Sequence, residues 1–152
     1  MRVTLKINKQ TTQIEQIAKA MGMSCQPKRL EIPPVLGKGF LQYYALPYDI
    51  QVHHYQYQIK QEIEVVGENW EEDGLYMLHV NLSTRVLRKN IGEGPVVLSQ
   101  AGGSGALFYS PGYNSQGKNE VDQAYEIVIF SFPKETLKKW KDWGEKESKL
   151  CL

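Results

Sequence analysis

The stretch Asp49-Ile50-Gln51-Val52-His53-His54-Tyr55-Gln56-Tyr57-Gln58-Ile59-Lys60 decides the fold class. It is rich in β-formers (Ile50, Val52, Tyr55, Tyr57, Ile59), and neither glycine nor proline interrupts it, so it reads as one long strand. Ahead of it, Gly39 to Leu46 is a strand ended by Pro47. Behind it, Ile63 to Val66 is a strand stopped by Gly67, and Leu75 to Leu82 is another, with Tyr76, Leu78, Val80 and Leu82 on one face. Short strands follow at Arg85 to Arg88, Pro95 to Gln100 and Ala106 to Tyr109, and a last long one at Tyr125 to Phe132. Turn clusters such as Asn90-Ile91-Gly92-Glu93-Gly94 and Ser110-Pro111-Gly112 separate them at spacings of roughly 8 to 12 residues, the pattern of an antiparallel sandwich or barrel.

The flanks are different. Val3, Leu5 and Ile7 alternate with polar residues as a short strand does. Ile14, Ile17, Ala18 and Met21 form one apolar stripe of a helix, with Thr11 or Thr12 as cap and Gly22 at its end. Pro27 to Pro34 is a connector, since Pro33-Pro34 neither continues a helix nor sits centrally in a sheet. After Phe132, Pro133 suits the first helical position and Glu135 the positive end of the helix dipole. Leu137, Trp140 and Gly144 then share a face, with Trp143 beside it. The chain divides into a strand-helix segment and connector (1–36), a β-barrel (37–132) and a C-terminal helix (133–152).

A length of 152 residues is one domain's worth. Apolar residues at 41% and charged residues at 23% fit a folded globular protein rather than a disordered one. Eighteen basic against seventeen acidic residues leave a charge of +1, which excludes a strong electrostatic grip on nucleic acid by this segment. The start lacks the apolar core of a secretory signal, and runs such as Ile127-Val128-Ile129-Phe130 are too short to span a bilayer, so a cytoplasmic location is expected. Cys25 and Cys151 have no CxxC spacing and are expected as reduced thiols. Asn81-Leu82-Ser83 matches a glycosylation acceptor that stays idle without export.

No catalytic signature appears. His53 and His54 are adjacent in a strand and must point to opposite faces, so a metal site would need one of them together with His79. Surface or core histidines, or a ligand contact, account for them more simply. Gly102-Gly103-Ser104-Gly105 lacks the Lys-Ser or Lys-Thr of a phosphate loop and reads as a hairpin loop. Glu68, Glu71, Glu72 and Asp73 around Trp70 read as a solvated loop. The tyrosines are the best candidates for function: Tyr55 and Tyr57 on one face with His53, joined by Tyr44 and Tyr109 from neighbouring strands, supply the mix of aromatic surface and polar tips that a ligand pocket needs. The alternative leaves their hydroxyls in water at a barrel mouth. Leu137, Trp140 and Trp143 suit a dimerisation helix, or one packed flat on the barrel.

The order Ile32-Pro33-Pro34-Val35-Leu36-Gly37-Lys38-Gly39-Phe40, a long strand pair, Leu107-Phe108-Tyr109-Ser110-Pro111-Gly112, Tyr125-Glu126-Ile127-Val128-Ile129-Phe130-Ser131-Phe132 and a helix resembles the N-terminal, cupin-like sensor domain of AraC-type transcriptional regulators. The resemblance covers roughly Gly37 to Leu150. It implies a mainly β, jelly-roll-like barrel that binds a small effector, dimerises through helices after the barrel, and governs DNA-binding units that are not within this chain. No cofactor, no membrane and no enzyme activity are implied. Metal-dependent cupin enzymes carry a His-x-His pair after a glycine and a later Glu, and His53-His54 lacks that spacing. Such an enzyme (an isomerase or dioxygenase) and a pure protein-interaction barrel are the two rival readings.

Overall fold

The computed structural model describes residues 1–24, 28–99 and 105–150, with the side chains of 145–150 excepted. Cys25, Cys151 and most of the Gly102–Gly105 loop lie outside the described residues. In chain order the elements are β1 (Arg2–Lys6), α1 (Gln13–Ala20), β2 (Arg29–Glu31), β3 (Gly37–Leu46), β4 (Ile50–Ile59), β5 (Ile63–Glu68), β6 (Tyr76–Asn81), β7 (Leu87–Ile91), β8 (Gly94–Leu98), β9 (Ala106–Tyr109), β10 (Ser115–Asn119), β11 (Ala124–Phe132) and α2 (Lys134–Leu150).

Two sheets face each other, one ordered β1-β5-β10-β7-β8 and the other β2-β3-β4-β11-β6-β9. From β4 onward the chain alternates between them, except that β7 and β8 form a hairpin within one sheet. The interior strand orders β4-β11-β6-β9 and β5-β10-β7-β8 are those of a jelly roll. The N-terminal segment is built into this shell. Strand β1 pairs in parallel with β5, Val3 opposite Val65 and Leu5 opposite Gly67.

Helix α1 is held by a capping box: Thr12 accepts from the Glu15 amide, and the Glu15 carboxylate accepts from the Thr12 amide at 2.9 Å. Its apolar stripe, Ile14, Ile17 and Ala18, is buried in the common core with Val3, Leu5, Leu41, Tyr55 and Ile127. The β3–β4 hairpin turns through Tyr48 and Asp49, both with left-handed backbone (φ 66° and 59°). Such geometry costs a non-glycine residue about 1 kcal/mol or more. The Tyr48 carbonyl accepts from Thr136 Oγ1 at 2.6 Å, which ties the turn to the start of α2.

Several boundaries differ from the sequence reading. Gly67 does not stop a strand but lies within β5, where it pairs with Ser115. The strand expected at Arg85 to Arg88 runs instead from Leu87 to Ile91. The connector contains a short edge strand, β2, and Ser115–Asn119 forms β10 although it holds no apolar residue. Pairing on both sides, with β5 and β7, imposes the extended form there. Pro133 precedes the first helical residue, and its carbonyl accepts from the Thr136 amide at 3.1 Å.

Candidate functional site

Register determines what faces the interior. In β3, β4, β11, β6 and β9 the odd-numbered residues point inward, and one rung runs Tyr43–His53–Ile129–His79–Leu107 across the five strands. Inward-facing residues of the opposite sheet include Ile63 and Val65 of β5, Leu87 and Lys89 of β7, and Ser115 and Asn119 of β10. Between the sheets lies a cavity of about 100 Å³. Aliphatic side chains make most of its wall, and Gln13, Ile17 and Met21, in and just after α1, form one side of it.

The polar groups in this wall are few and fall into three hydrogen-bonded clusters. Lys89 Nζ stands 2.9 Å from His79 Nδ1, and His79 Nε2 stands 3.1 Å from the Tyr109 hydroxyl. Tyr55 donates to Gln13 Oε1 at 3.0 Å, and Tyr57 donates to Asn119 Oδ1 at 2.9 Å. An ammonium can only donate, so Nδ1 of His79 accepts and the imidazole proton sits on Nε2, facing Tyr109. Burial holds the His79 pKa well below its usual value, reinforced by the Lys89 charge and then by His53. Burial likewise pushes Lys89 down to about 8. It pushes the Tyr109 phenol up to about 12, against an opposing pull from a Ser115 hydrogen bond. Tyr55 and Tyr57 are also raised by burial, with smaller contributions from Tyr57 and from Tyr125 of β11 respectively. The tyrosines are therefore neutral hydrogen-bonding groups at ordinary pH.

The expected site residues separate into groups. Tyr55, Tyr57 and Tyr109 line the cavity. His53 shares their face, but it lies beyond the cavity wall, fully buried between the rings of Tyr43 and Tyr55 at 5.2 and 5.9 Å. Neither of its ring nitrogens has a hydrogen-bond partner among the described residues, and burial lowers its pKa to about 4. Tyr44 is not brought to the cavity: it pairs with Val52 on the opposite face of the sheet and is exposed. The tyrosine that neighbours His53 is Tyr43, one residue away, because strand side chains alternate. His54 points outward as expected, 3.0 Å from the Glu126 carboxylate. Among the described residues no three His, Cys, Asp or Glu side chains gather as a metal site would require.

Lys89, His79 and Gln13 were not in the expected ligand set. A signal for Lys89 existed: Leu87 and Ile91 flank it at two-residue spacing, which puts it on the apolar face of its strand. In β6 the apolar set Tyr76, Leu78 and Val80 faces outward, and Met77, His79 and Asn81 face in. Asn81 is buried and donates to the Leu98 carbonyl at 3.0 Å, so it is no accessible glycosylation acceptor. The acidic loop is solvated, with Glu71, Glu72 and Asp73 exposed. The buried Asn69 shapes it by accepting from the Leu75 amide and donating to the Leu75 carbonyl, both at 2.9 Å.

The outer face of the same sheet carries a run of aromatic rings. Tyr76, Phe108 and Phe132 stack with centroids 5.8 to 6.2 Å apart, and Trp140 of α2 lies 5.0 Å from Phe132. Phe108, Trp140 and Trp143 are exposed, and Leu137 is half-buried. Among the described residues no helix is long and apolar enough to cross a membrane.

No family model matches the sequence, and no curated protein matches it. Solved structures similar in shape include KdgF from Halomonas sp. (TM-score 0.48, 9% identity, 72% of this chain and 89% of that one). The plu4264 protein from Photorhabdus luminescens is another (TM-score 0.47, 10% identity, 69% and 85%). A third is the bp2299 cupin domain from Bordetella pertussis Tohama I (TM-score 0.44, 14% identity, 72% and 98%).

Proposed function

We propose that this chain is a cytoplasmic small-molecule-sensing and dimerisation domain of an AraC-type transcription regulator, with the effector held inside the jelly roll and DNA contacted through a separate domain. The single observation that carries the reading is the interior cavity, an apolar chamber with a few hydrogen-bonding groups in three small clusters, the composition expected of a ligand site. Binding rather than catalysis is favoured because the polar groups already engage one another: His79 lies between Lys89 and Tyr109, and Tyr55 is on Gln13.

A sensor also needs an element that responds. The Tyr55–Gln13 hydrogen bond joins the chamber to α1, and Lys9, just before α1, stands 3.7 Å from Glu135 at the start of α2. A guest that competes for Tyr55 would bias how α1 sits, and through it the end of the molecule that bears α2. The aromatic stack continued by Trp140 and Trp143 is the surface we assign to homodimerisation.

A thermal-shift screen against sugars, aromatic acids and common metabolites tests the proposal. At least one compound should raise the unfolding midpoint in the parent and less so in Tyr55→Phe. Sedimentation should show a dimer that Trp140→Ala with Trp143→Ala converts to a monomer. Unresponsive protein, or purified protein holding stoichiometric iron, manganese, nickel or zinc, would overturn it.

A further inference from the structure

We infer that the chamber binds a small monocarboxylate, its charged head on Lys89 Nζ and its apolar tail among the aliphatic side chains; this rests on the reading of the cavity as a ligand site. The geometry around Lys89 carries the inference. Its side chain enters the chamber from β7 between Leu87 and Ile91, and its hydrogen-bond partner there is the neutral imidazole of His79, at 2.9 Å. Among the described residues no carboxylate stands within ion-pairing distance of Nζ. An ammonium has three donors, and one of them is used in this way.

A cation taken out of water without a counter-charge is costly, and an apolar side chain of similar size in its place is commonly neutral or stabilising. A barrel that needed only to be solid would gain by placing leucine or methionine there. An anion arriving from outside would offset the cost that the fold leaves standing, and would meet the ammonium donors that His79 does not use. His79 strengthens the argument. Kept neutral, it adds no second charge, and its link to Tyr109 fixes the imidazole so that its lone pair orients the ammonium.

The rest of the wall narrows the chemistry. Ile63, Val65, Leu87 and Ile127 offer nothing to a sugar's many hydroxyls but suit a hydrocarbon tail. A cavity of about 100 Å³, against the about 150 Å³ of a cavity that accepts benzene, limits the guest to a short chain of about six heavy atoms or fewer. Inorganic anions share the charge but not the tail.

The titratable groups facing Lys89 are His79 from β6, Tyr109 from β9, and Tyr55 and Tyr57 from β4, with His53 behind them. Ser115 and Asn119 from β10 and Gln13 from α1 are uncharged. The tyrosines and histidines are neutral across the slightly acid to slightly alkaline range, so only Lys89 changes charge there. Loss of its proton above about pH 8 removes the anion's partner.

The test titrates the full chain with butyrate, butyramide, 1-butanol and inorganic phosphate, read by calorimetry and thermal shift at about pH 6.5 and about pH 9.5. Butyrate should bind and raise the midpoint at the lower pH, and its affinity should fall roughly 30-fold at the higher. Butyramide should bind at least tenfold more weakly, and phosphate should not compete. Lys89→Met should abolish the butyrate response, with its fold checked by near-ultraviolet circular dichroism, and Lys89→Arg should retain part of it. Butyramide or 1-butanol binding as well as butyrate overturns the inference and leaves the ligand chamber standing. Phosphate binding as tightly as butyrate also overturns it. If none of the four probes binds, the inference falls, and the chamber reading is decided separately by the wider thermal-shift screen.

Discussion

His53 and His79 sit on the same inner face, in one rung, separated only by Ile129 of β11. Both are buried and both are held neutral by that burial. Yet one has partners on both ring nitrogens, a lysine and a tyrosine, and the other has none among the described residues. The His53 end is a packing solution: an imidazole used as a flat ring between Tyr43 and Tyr55. The His79 end is a polar network in which each member limits what the others do. Burial alone therefore does not distinguish the two histidines; the groups that each one contacts do.

The sharpest way to break this contrast is His79→Leu. It would leave the Lys89 ammonium in the chamber without its acceptor, and stability should fall by about 3 kcal/mol in urea unfolding. Adding Lys89→Met to that variant should recover most of the loss, since the cost comes from the stranded charge. A loss that the double variant does not recover would mean that the imidazole contributes by packing, as His53 does.

At the other end the sign should reverse. His53→Leu removes two unpartnered nitrogens at nearly constant volume and should be neutral or stabilising by about 1 kcal/mol at neutral pH. Its pH dependence is more telling. The folded pKa, about 4, lies below the ordinary value of 6.5, so between those values the unfolded chain holds more protons. Stability then falls as the pH drops from about 6.5 to about 4, by up to about 3 kcal/mol for this group, and levels off below. His79 adds a loss of the same sign. In His53→Leu the acid-side slope between those pH values should be shallower by about one proton; an unchanged slope would place the proton uptake elsewhere.

The smallest effect is expected outside the barrel. Trp143→Ala, at a side chain 66% exposed, should change stability at dilute concentration by about 0.5 kcal/mol or less while weakening self-association. A large loss of stability in the dilute protein would show that α2 packs on its own barrel rather than on a partner.

Much of the architecture was legible in the residues. The unbroken β-formers of β4, the alternation of β1, the stripe of α1 and the long apolar β11 all form where their patterns indicate. What was lost depends on pairing. β10, Ser-Gln-Gly-Lys-Asn, has no pattern of its own and becomes a strand only because β5 and β7 hold it. The sequence alone does not separate Tyr44 from Tyr43, because a one-residue change of register turns a side chain to the other face. In β6 the apolar residues face outward to join the aromatic stack, and the interior takes the histidine. Lys89 is marked in the sequence only by its place between Leu87 and Ile91, and the rest of its setting comes from what surrounds it across two sheets.

The walls of the chamber are not equally stiff. Two of its sides are sheets whose strands are locked edge to edge by backbone ladders, whereas the side made by α1 is a helix of 8 residues held by packing, by Gln13 on Tyr55 and by Gln16 on the β1 end at Lys6. On the proposed ligand reading, a guest larger than the resting space would be accommodated there, at the expense of α1 and not of the sheets. Across a homologous series of guests, amide hydrogen exchange should quicken in α1 as chain length grows while β4 and β11 stay protected. The helix, rather than the barrel, then sets the upper size that the protein admits.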